Sequence, residues 1–388
     1  MKKPHVVIIG AGFTGIGTAH DLALRGLDVT VVERGALVSG TSGRTHGLLH
    51  SGGRYAVKDQ ESAVECIEEN MILRKIVPEV IEPGPGLFVA IDDSDMAYRE
   101  VFIEATTASG IQIEELSPQE TFKIEPNLNP QLKTAFTVPD GSFDPLRLAM
   151  AFAATAKLNG AKFKLYHEVK ELIMDNSKTV TGVRVVDRTS DRQYDINADV
   201  VVNATGAWAG EIASMVGGEV PVKPTPGVMV AFDKRLTQRV INRLNKPGDG
   251  DIIVTQRRML VIGTTSYEID EVDYVAINPD HTRMMHERAY ELVPNLRHAK
   301  ERGVYVATRP LIGGGTGRSV ARTFKCFDHK ESDDVEAFVT ITGGKATTTR
   351  RMAEKTSDIV CEKLGIKTEC RTKDTHLLSY RKYAMLPD

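Results

Sequence analysis

His5-Val6-Val7-Ile8-Ile9-Gly10-Ala11-Gly12-Phe13-Thr14-Gly15, followed eighteen positions later by Glu33, decides the fold. The apolar run reads as a buried parallel strand. Gly10 and Gly12 lack the Cβ that would block a tight turn and close approach to a pyrophosphate, and Gly15 lets the next helix pack on the strand. The N-terminus of that helix then faces the diphosphate. Val29-Thr30-Val31-Val32-Glu33 reads as the second strand, with Glu33 placed to hold a ribose hydroxyl. A glycine turn between packed elements would explain the turn but not the acid. Strand, turn, second strand and acid together predict a bound dinucleotide.

After Glu33 a nicotinamide-type βαβ unit is expected to continue. Instead the chain runs into a polar, glycine-dense loop, Ser39-Gly40-Thr41-Ser42-Gly43-Arg44-Thr45-His46-Gly47-Leu48-Leu49-His50-Ser51-Gly52-Gly53-Arg54-Tyr55. Such a loop can lie along an extended cofactor and bring backbone amides close to a bulky isoalloxazine. Two more apolar strands end in glycine turns, at Val202-Asn203-Ala204-Thr205-Gly206 and at Ile341-Thr342-Gly343-Gly344-Lys345. The first would return the chain to the pyrophosphate, and the second would place a helix N-terminus beside the ring system. These turns favour FAD.

Composition sets the outer bounds. The 388 residues can bury a sizeable core and form two domains. With 41% hydrophobic residues, 26% charged residues and a formal net charge of -3, the chain has the makeup of an ordinary globular protein, and nothing suggests a nucleic-acid binder. Cys66, Cys326, Cys361 and Cys370 form no CxxC pair, so neither a metal site nor an iron–sulfur cluster is expected, and reduced thiols suit a cytoplasmic setting. The start, Met1-Lys2-Lys3 and an apolar stretch, could imitate a signal peptide, but the fingerprint glycines interrupt it. No apolar run approaches the ~20 residues that span a bilayer. Peripheral contact with the inner face of a membrane stays open.

A helix is expected around Ala63, Ile67, Met71 and Leu73, and a strand at Leu87-Phe88-Val89-Ala90-Ile91. Asp144-Pro145 opens a helix ending at Asn159-Gly160, and a hairpin is expected around Val180-Gly182-Val183-Val185. Short strands from residue 221 to about 310 suit an antiparallel sheet. The fold expected is therefore α/β: a Rossmann-like FAD-binding domain made of residues 1–80, 140–220 and 311–388, interleaved with an antiparallel-sheet substrate-capping domain of residues 81–139 and 221–310.

From residue 5 to about 365 the chain resembles the FAD-dependent glycerol-3-phosphate dehydrogenases of the D-amino-acid-oxidase superfamily, with most likeness to the large subunit of the anaerobic type. The resemblance is carried by the segment from Gly43 to Val57, by Val138-Pro139-Asp140-Gly141, by Ile262-Gly263-Thr264-Thr265-Ser266, by Thr308-Arg309-Pro310-Leu311 and by Ile341 to Lys345. It implies oxidation of sn-glycerol 3-phosphate to dihydroxyacetone phosphate by hydride transfer from C2 to the flavin. Electrons would pass to a quinone or a partner protein subunit.

The chemistry needs a grip on a phosphate, a base for the hydroxyl proton and positive character near the reduced flavin. Arg54, Arg309, Arg322 and Lys345 lie in the segments matching the family's substrate motifs, and a guanidinium fork suits a phosphate dianion. Tyr55 could add a hydroxyl. His50 is the favoured base, because an ordinary histidine titrates near neutrality; the alternative is that Arg309 orients the substrate oxygen while water takes the proton. Cofactor contacts are expected from Gly10, Gly12, Phe13, Thr14 and Gly15, then Glu33 and Arg34. Further contacts are expected from Thr41, Ser42, Arg44, His46, Gly47 and Leu49 in the loop. Val169, Ala204, Gly206 and Trp208 follow, and Gly343, Gly344, Lys345, Thr347 and Thr348 close the set.

Two departures from the family bear on these expectations. Relatives often carry Lys-Gly-Ser where this chain has Pro226-Gly227-Val228, and Thr349 replaces an aromatic. Anaerobic large subunits also continue into a cysteine-containing C-terminal region, whereas this sequence ends at Asp388, so its electrons are expected to leave by a separate protein, a quinone or oxygen. A 2-hydroxy acid, another polyol phosphate or an amino acid remain alternative substrates, since arginines also grip carboxylates. A non-catalytic flavoprotein is the other reading.

Overall fold

In the computed structural model, residues 3–313 and 323–387 are described. The fingerprint forms β1 (His5–Ile9), α1 (Phe13–Leu24) and β2 (Asp28–Glu33). β1 is central in a six-stranded sheet, with β2 and then Lys162–Leu165 on one side, and Val200–Asn203, Phe338–Gly343 and Phe324–Asp328 on the other. All neighbours are parallel except the last pair. Strand β2 thus takes its outer neighbour from residue 162, not from the segment that follows it in sequence.

The unbroken apolar character of β1 follows from both faces being covered. On one face Ile8 packs with Ile16 of α1, Phe152 of the helix Pro145–Leu158 and Met352 of the helix Thr349–Lys363. On the other, Val7 and Ile9 meet Val183 and Leu172 of a three-stranded antiparallel sheet. The expected hairpin is this sheet: Val180–Asp187 pairs with Arg192–Asn197 and also with His167–Met174. Asp144 caps its helix by accepting from the Arg147 amide.

A second sheet has eight strands, running from Glu301–Ile312 through Val222–Phe232, Met259–Gly263, Ile252–Gln256, Ile241–Arg243, Gly86–Ala90 and Thr134–Val138 to Glu114–Leu116. Its pairs are antiparallel except Ile241–Arg243 with Gly86–Ala90. Two of its strands, of 11 and 12 residues, are longer than the sequence suggested. The helix Pro279–Leu292 was not foreseen either. Its mean composition is polar, but Met285, Ala289 and Leu292 fall on one face and pack on Val230 and Ile262. The cofactor-type sheet and this larger sheet meet along one long cavity.

Candidate active site

The cavity has a volume of about 1270 Å³, more than the roughly 300–1,000 Å³ that ordinary ligand pockets enclose. One end is the fingerprint turn. Gly10 has φ +102°, and a Cβ on Gly15 would lie 1.9 Å from the Gly10 carbonyl oxygen, so helix and turn can meet only if that residue is glycine. Gly12, at the N-cap of α1, offers no side chain to cap it. The Phe13 amide donates to Ser42 Oγ (3.0 Å), while Gly12, Phe13 and Thr14 line the cavity. An anion fits a helix N-terminus that faces a cavity in this way. Glu33 also lines the cavity, its carboxylate fixed by the amides of Ala11 and Gly35 (2.8 Å each).

Beside Glu33 a strap without regular secondary structure, residues 264–278, reaches over from the larger sheet. Val272, Asp273, Tyr274 and Val275 of this strap line the cavity. Asp273 accepts from Arg34 Nη2 and Trp208 Nε1, both at 2.9 Å, and the Arg34 guanidinium lies 4.4 Å over the Trp208 ring. Arg34 holds the Asp273 carboxyl below the usual carboxylate range.

At the other end the loop of residues 45–55 passes between the two sheets. Leu48–Leu49 pairs with Gly141–Ser142. The loop backbone is anchored from three sides. His50 N donates to Thr347 Oγ1 (3.0 Å), Ser51 N donates to Asp140 Oδ1 (2.6 Å), and the carbonyls of Leu49 and His50 accept from Asn70 Nδ2 (3.3 and 3.0 Å). His50 faces Tyr55, whose hydroxyl is 3.4 Å from Nε2. The Lys345 ammonium lies 4.9 Å over the Tyr55 ring.

Arg54 is nearly buried, its side chain 7% exposed. Nη2 donates to Asp251 Oδ2 (2.8 Å) and to the Gly248 carbonyl (2.9 Å), while Nη1 is buried with no hydrogen-bond partner. A buried donor of this kind costs stability unless a ligand meets it. Arg309 is held between the start of the strap and the second sheet: Nη1 donates to Thr264 Oγ1 (2.7 Å), and Nη2 to the carbonyls of Thr265 (2.8 Å) and Pro226 (3.1 Å). The unusual Pro226-Gly227 pair therefore sits against this guanidinium, where a Cβ on Gly227 would come within 3.1 Å of Nη1.

His46 lines the cavity near both arginines. Desolvation first, then the charges of Arg309 and Arg54, lower its pKa to about 4. The Cys66 thiol is pushed up to about 12 by burial, so it is inert at neutral pH. Burial also raises Asp140.

The candidate residues His50, Arg309, Arg54, Tyr55 and Lys345 all line the one cavity, as do Gly10, Gly12, Phe13, Thr14, Glu33, Arg34, Thr41, Ser42, Arg44 and His46. Val169, Ala204, Gly206, Trp208, Gly343 and Gly344 join them. Arg322 lies outside the described residues. Gly15, Gly47, Leu49, Thr347 and Thr348 do not line the cavity. Gly15 serves the helix contact, Leu49 is fully buried while Leu48 takes the lining position, and Thr347 holds the His50 amide. Thr348 Oγ1 accepts from Lys345 N (3.2 Å), capping the short turn Ala346–Thr348. Residues the sequence did not single out include Asp251, Asn70 and Asp273. For Asp251 the only available signal was its dense Gly/Asp loop, Pro247-Gly248-Asp249-Gly250-Asp251.

Gly-rich turn, helix N-terminus, ribose-side acid and the cations Arg54, Arg309 and Lys345 make a site fit for a long anionic dinucleotide with a small anion beside it. Residues 5–344 match the family model of FAD dependent oxidoreductases. The chain is 44% identical over 401 residues to the anaerobic glycerol-3-phosphate dehydrogenase subunit A1 of Haloferax volcanii, covering 100% of this chain and 68% of that one. The glycerol-3-phosphate dehydrogenase of Bacillus halodurans, solved with FAD, superposes with a TM-score of 0.75 at 24% identity, covering 98% and 69% of the two chains. The L-proline dehydrogenase of P. horikoshii gives 0.77 at 22% identity, covering 96% of each. Fold likeness at this identity is shared across different substrates.

Proposed function

The chain belongs to the FAD-dependent oxidoreductase family, and on that footing we propose that it oxidises sn-glycerol 3-phosphate to dihydroxyacetone phosphate. The observation that carries the reading is that three cations, Arg54, Arg309 and Lys345, line one cavity, with the Arg54 guanidinium fixed through Nη2 by Asp251 and the Gly248 carbonyl. A phosphate oxygen is the acceptor that best matches a cationic fork with one end already fixed. The 44% identity to a protein named for that substrate points the same way.

FAD would be held by Gly10, Gly12 and the first-turn amides of α1 at its diphosphate and by Glu33 at its ribose, and when bound it supplies the two-electron acceptor for the alcohol carbon. The rest is the work of side chains. Asp251 fixes the Arg54 fork so that Nη1 meets the phosphate, and Lys345 adds positive charge. Arg309, itself oriented by Thr264, Thr265 and Pro226, borders the substrate. His50 takes the hydroxyl proton at its ring, held in place through Thr347, Asn70 and Asp140. Residues 1–80, 140–220 and 311–388 serve the cofactor, and 81–139 with 221–310 serve the substrate.

Electrons leave to a quinone or a partner protein subunit. The relative is named as a subunit, which supports a multi-subunit assembly. No helix of the described residues is long and apolar enough to cross a membrane.

The test is anaerobic mixing of the yellow holoprotein with a panel of alcohols. Glycerol 3-phosphate should bleach the flavin, and 2-hydroxyglutarate and amino acids should not. Bleaching by a hydroxy acid alone would transfer the site to that substrate. No bleaching by any of them would leave a non-catalytic flavoprotein.

A further inference from the structure

We propose that His46 is a substrate-binding residue, a neutral imidazole whose Nε2–H donates to an anionic oxygen of the substrate beside Arg54 and Arg309. The inference rests on the phosphorylated-alcohol reading above and adds a residue that the sequence had placed against the cofactor.

The tautomer follows from one contact. The Leu48 amide donates to His46 Nδ1 (3.2 Å), and an amide can only donate, so Nδ1 carries the lone pair and the ring's proton sits on Nε2. That contact also opposes protonation, because a second proton on Nδ1 would face an N–H. Two guanidinium charges and burial work in the same direction. A ring with its lone pair engaged and its free nitrogen protonated cannot serve as a general base. It can only donate.

Position supplies the acceptor. His46 lines the cavity, and Nε2 has no hydrogen-bond partner among the described residues. Its Cδ2, the carbon bonded to Nε2, faces Gly263, where a Cβ would lie 3.8 Å away. Gly263 precedes Thr264, which holds Arg309. The backbone is fixed too, since Gln256 Nε2 donates to the His46 carbonyl (2.8 Å) and also to that of Phe143 (3.0 Å). The ring of His50 is 6.5 Å from that of His46. The two histidines thus divide the work: His50, which faces Tyr55, is the base of the proposed reaction, whereas His46 presents a preset donor. An uncharged donor among cations suits an anion, because it adds a hydrogen bond without further charge repulsion.

The test uses the FAD-loaded enzyme, with dihydroxyacetone phosphate and inorganic phosphate titrated against the flavin absorbance band. His46→Leu should weaken both about tenfold or more, the loss expected for one bond to a charged acceptor. His46→Gln, which keeps an N–H near the Nε2 position, should recover most of the affinity. The change should fall on affinity more than on the limiting rate of flavin reduction, the pH profile of that rate should keep its wild-type shape, and both variants should retain FAD through gel filtration. Unchanged affinity in His46→Leu would overturn the proposal. So would a collapsed limiting rate with an altered pH profile, which would make His46 the base, or loss of FAD, which would make it a cofactor contact. If wild type itself bound neither ligand, the substrate reading would fall first, and that result is read before any variant is made.

Discussion

Replacing Arg54 by lysine keeps the charge and removes the fork. In the structure one guanidinium nitrogen is committed to Asp251 and the Gly248 carbonyl, at 2.8 and 2.9 Å, and the other, Nη1, is buried with no hydrogen-bond partner. A single ammonium cannot serve both directions. Asp251 is 3% exposed and would otherwise be a buried carboxylate without its cation, so the lysine is held there. The substrate then loses one charge-assisted bond, about 1.5–3 kcal/mol, or roughly a 10- to 150-fold weaker Kd. The assay is a titration of dihydroxyacetone phosphate against the flavin band, paired with stopped-flow reduction by glycerol 3-phosphate. Kd should rise by that factor while the limiting reduction rate stays near wild type, because no reacting atom has been moved. Adding Asp251→Asn to Arg54→Lys should release the ammonium and recover part of the loss. A Kd within twofold of wild type in Arg54→Lys would refute the idea that the unpartnered nitrogen is the anion contact.

His50→Gln should slow flavin reduction by roughly 10²–10⁴ with little change in product affinity; a reductive half-reaction at the wild-type rate would remove His50 as the base. Gly15→Ala places a Cβ 1.9 Å from the Gly10 carbonyl oxygen, so the purified protein should come out colourless, and a normal ratio of flavin to protein absorbance would contradict the packing argument. His20 is fully buried with neither ring nitrogen hydrogen-bonded, and desolvation lowers its pKa to about 4. The folded state refuses a proton that the unfolded chain accepts near pH 6.5, so this contribution is intact above that pH and is lost as the pH falls toward 4, by about 3 kcal/mol in all. Urea unfolding of His20→Leu between pH 7 and 4.5 should show a shallower decline than wild type, and an identical decline would exclude His20 as its source.

The parts of this site that were legible in the sequence are those where backbone geometry demands a residue type. Gly10, Gly12, Gly15 and Glu33 could be read because a turn, a helix contact and an acid at fixed spacing belong to one local unit. Arg54 and Arg309 were legible as charges held by glycine or proline neighbours. What could not be read were their partners. Asp251 meets Arg54 across 197 positions, Thr347 meets the His50 amide across 297, and Asp273 meets Arg34 across 239. No periodicity encodes such pairings; they exist only once the two sheets have closed. The helix Pro279–Leu292 was missed for a related reason. Only one narrow stripe of it is apolar, and the sheet beneath supplies most of what holds it. The role of His46 depended on a single amide two residues away, which decides which of its nitrogens bears the proton.

Asp273 pins the strap of residues 264–278 to Arg34 and Trp208 where the strap borders the cavity that Glu33 also lines. A cofactor that entered on this side would pass residues 272–275, and parting the tether to Arg34 and Trp208 would let them move aside. That tether is exposed, with side-chain accessibilities of 40% and 62% for the ion pair, so it contributes at most ~1 kcal/mol and weakens as salt screens it. The strap therefore bears on the rate of loading more than on retention. Uptake of flavin by the apoprotein should quicken as ionic strength rises, while the amount held at equilibrium hardly moves.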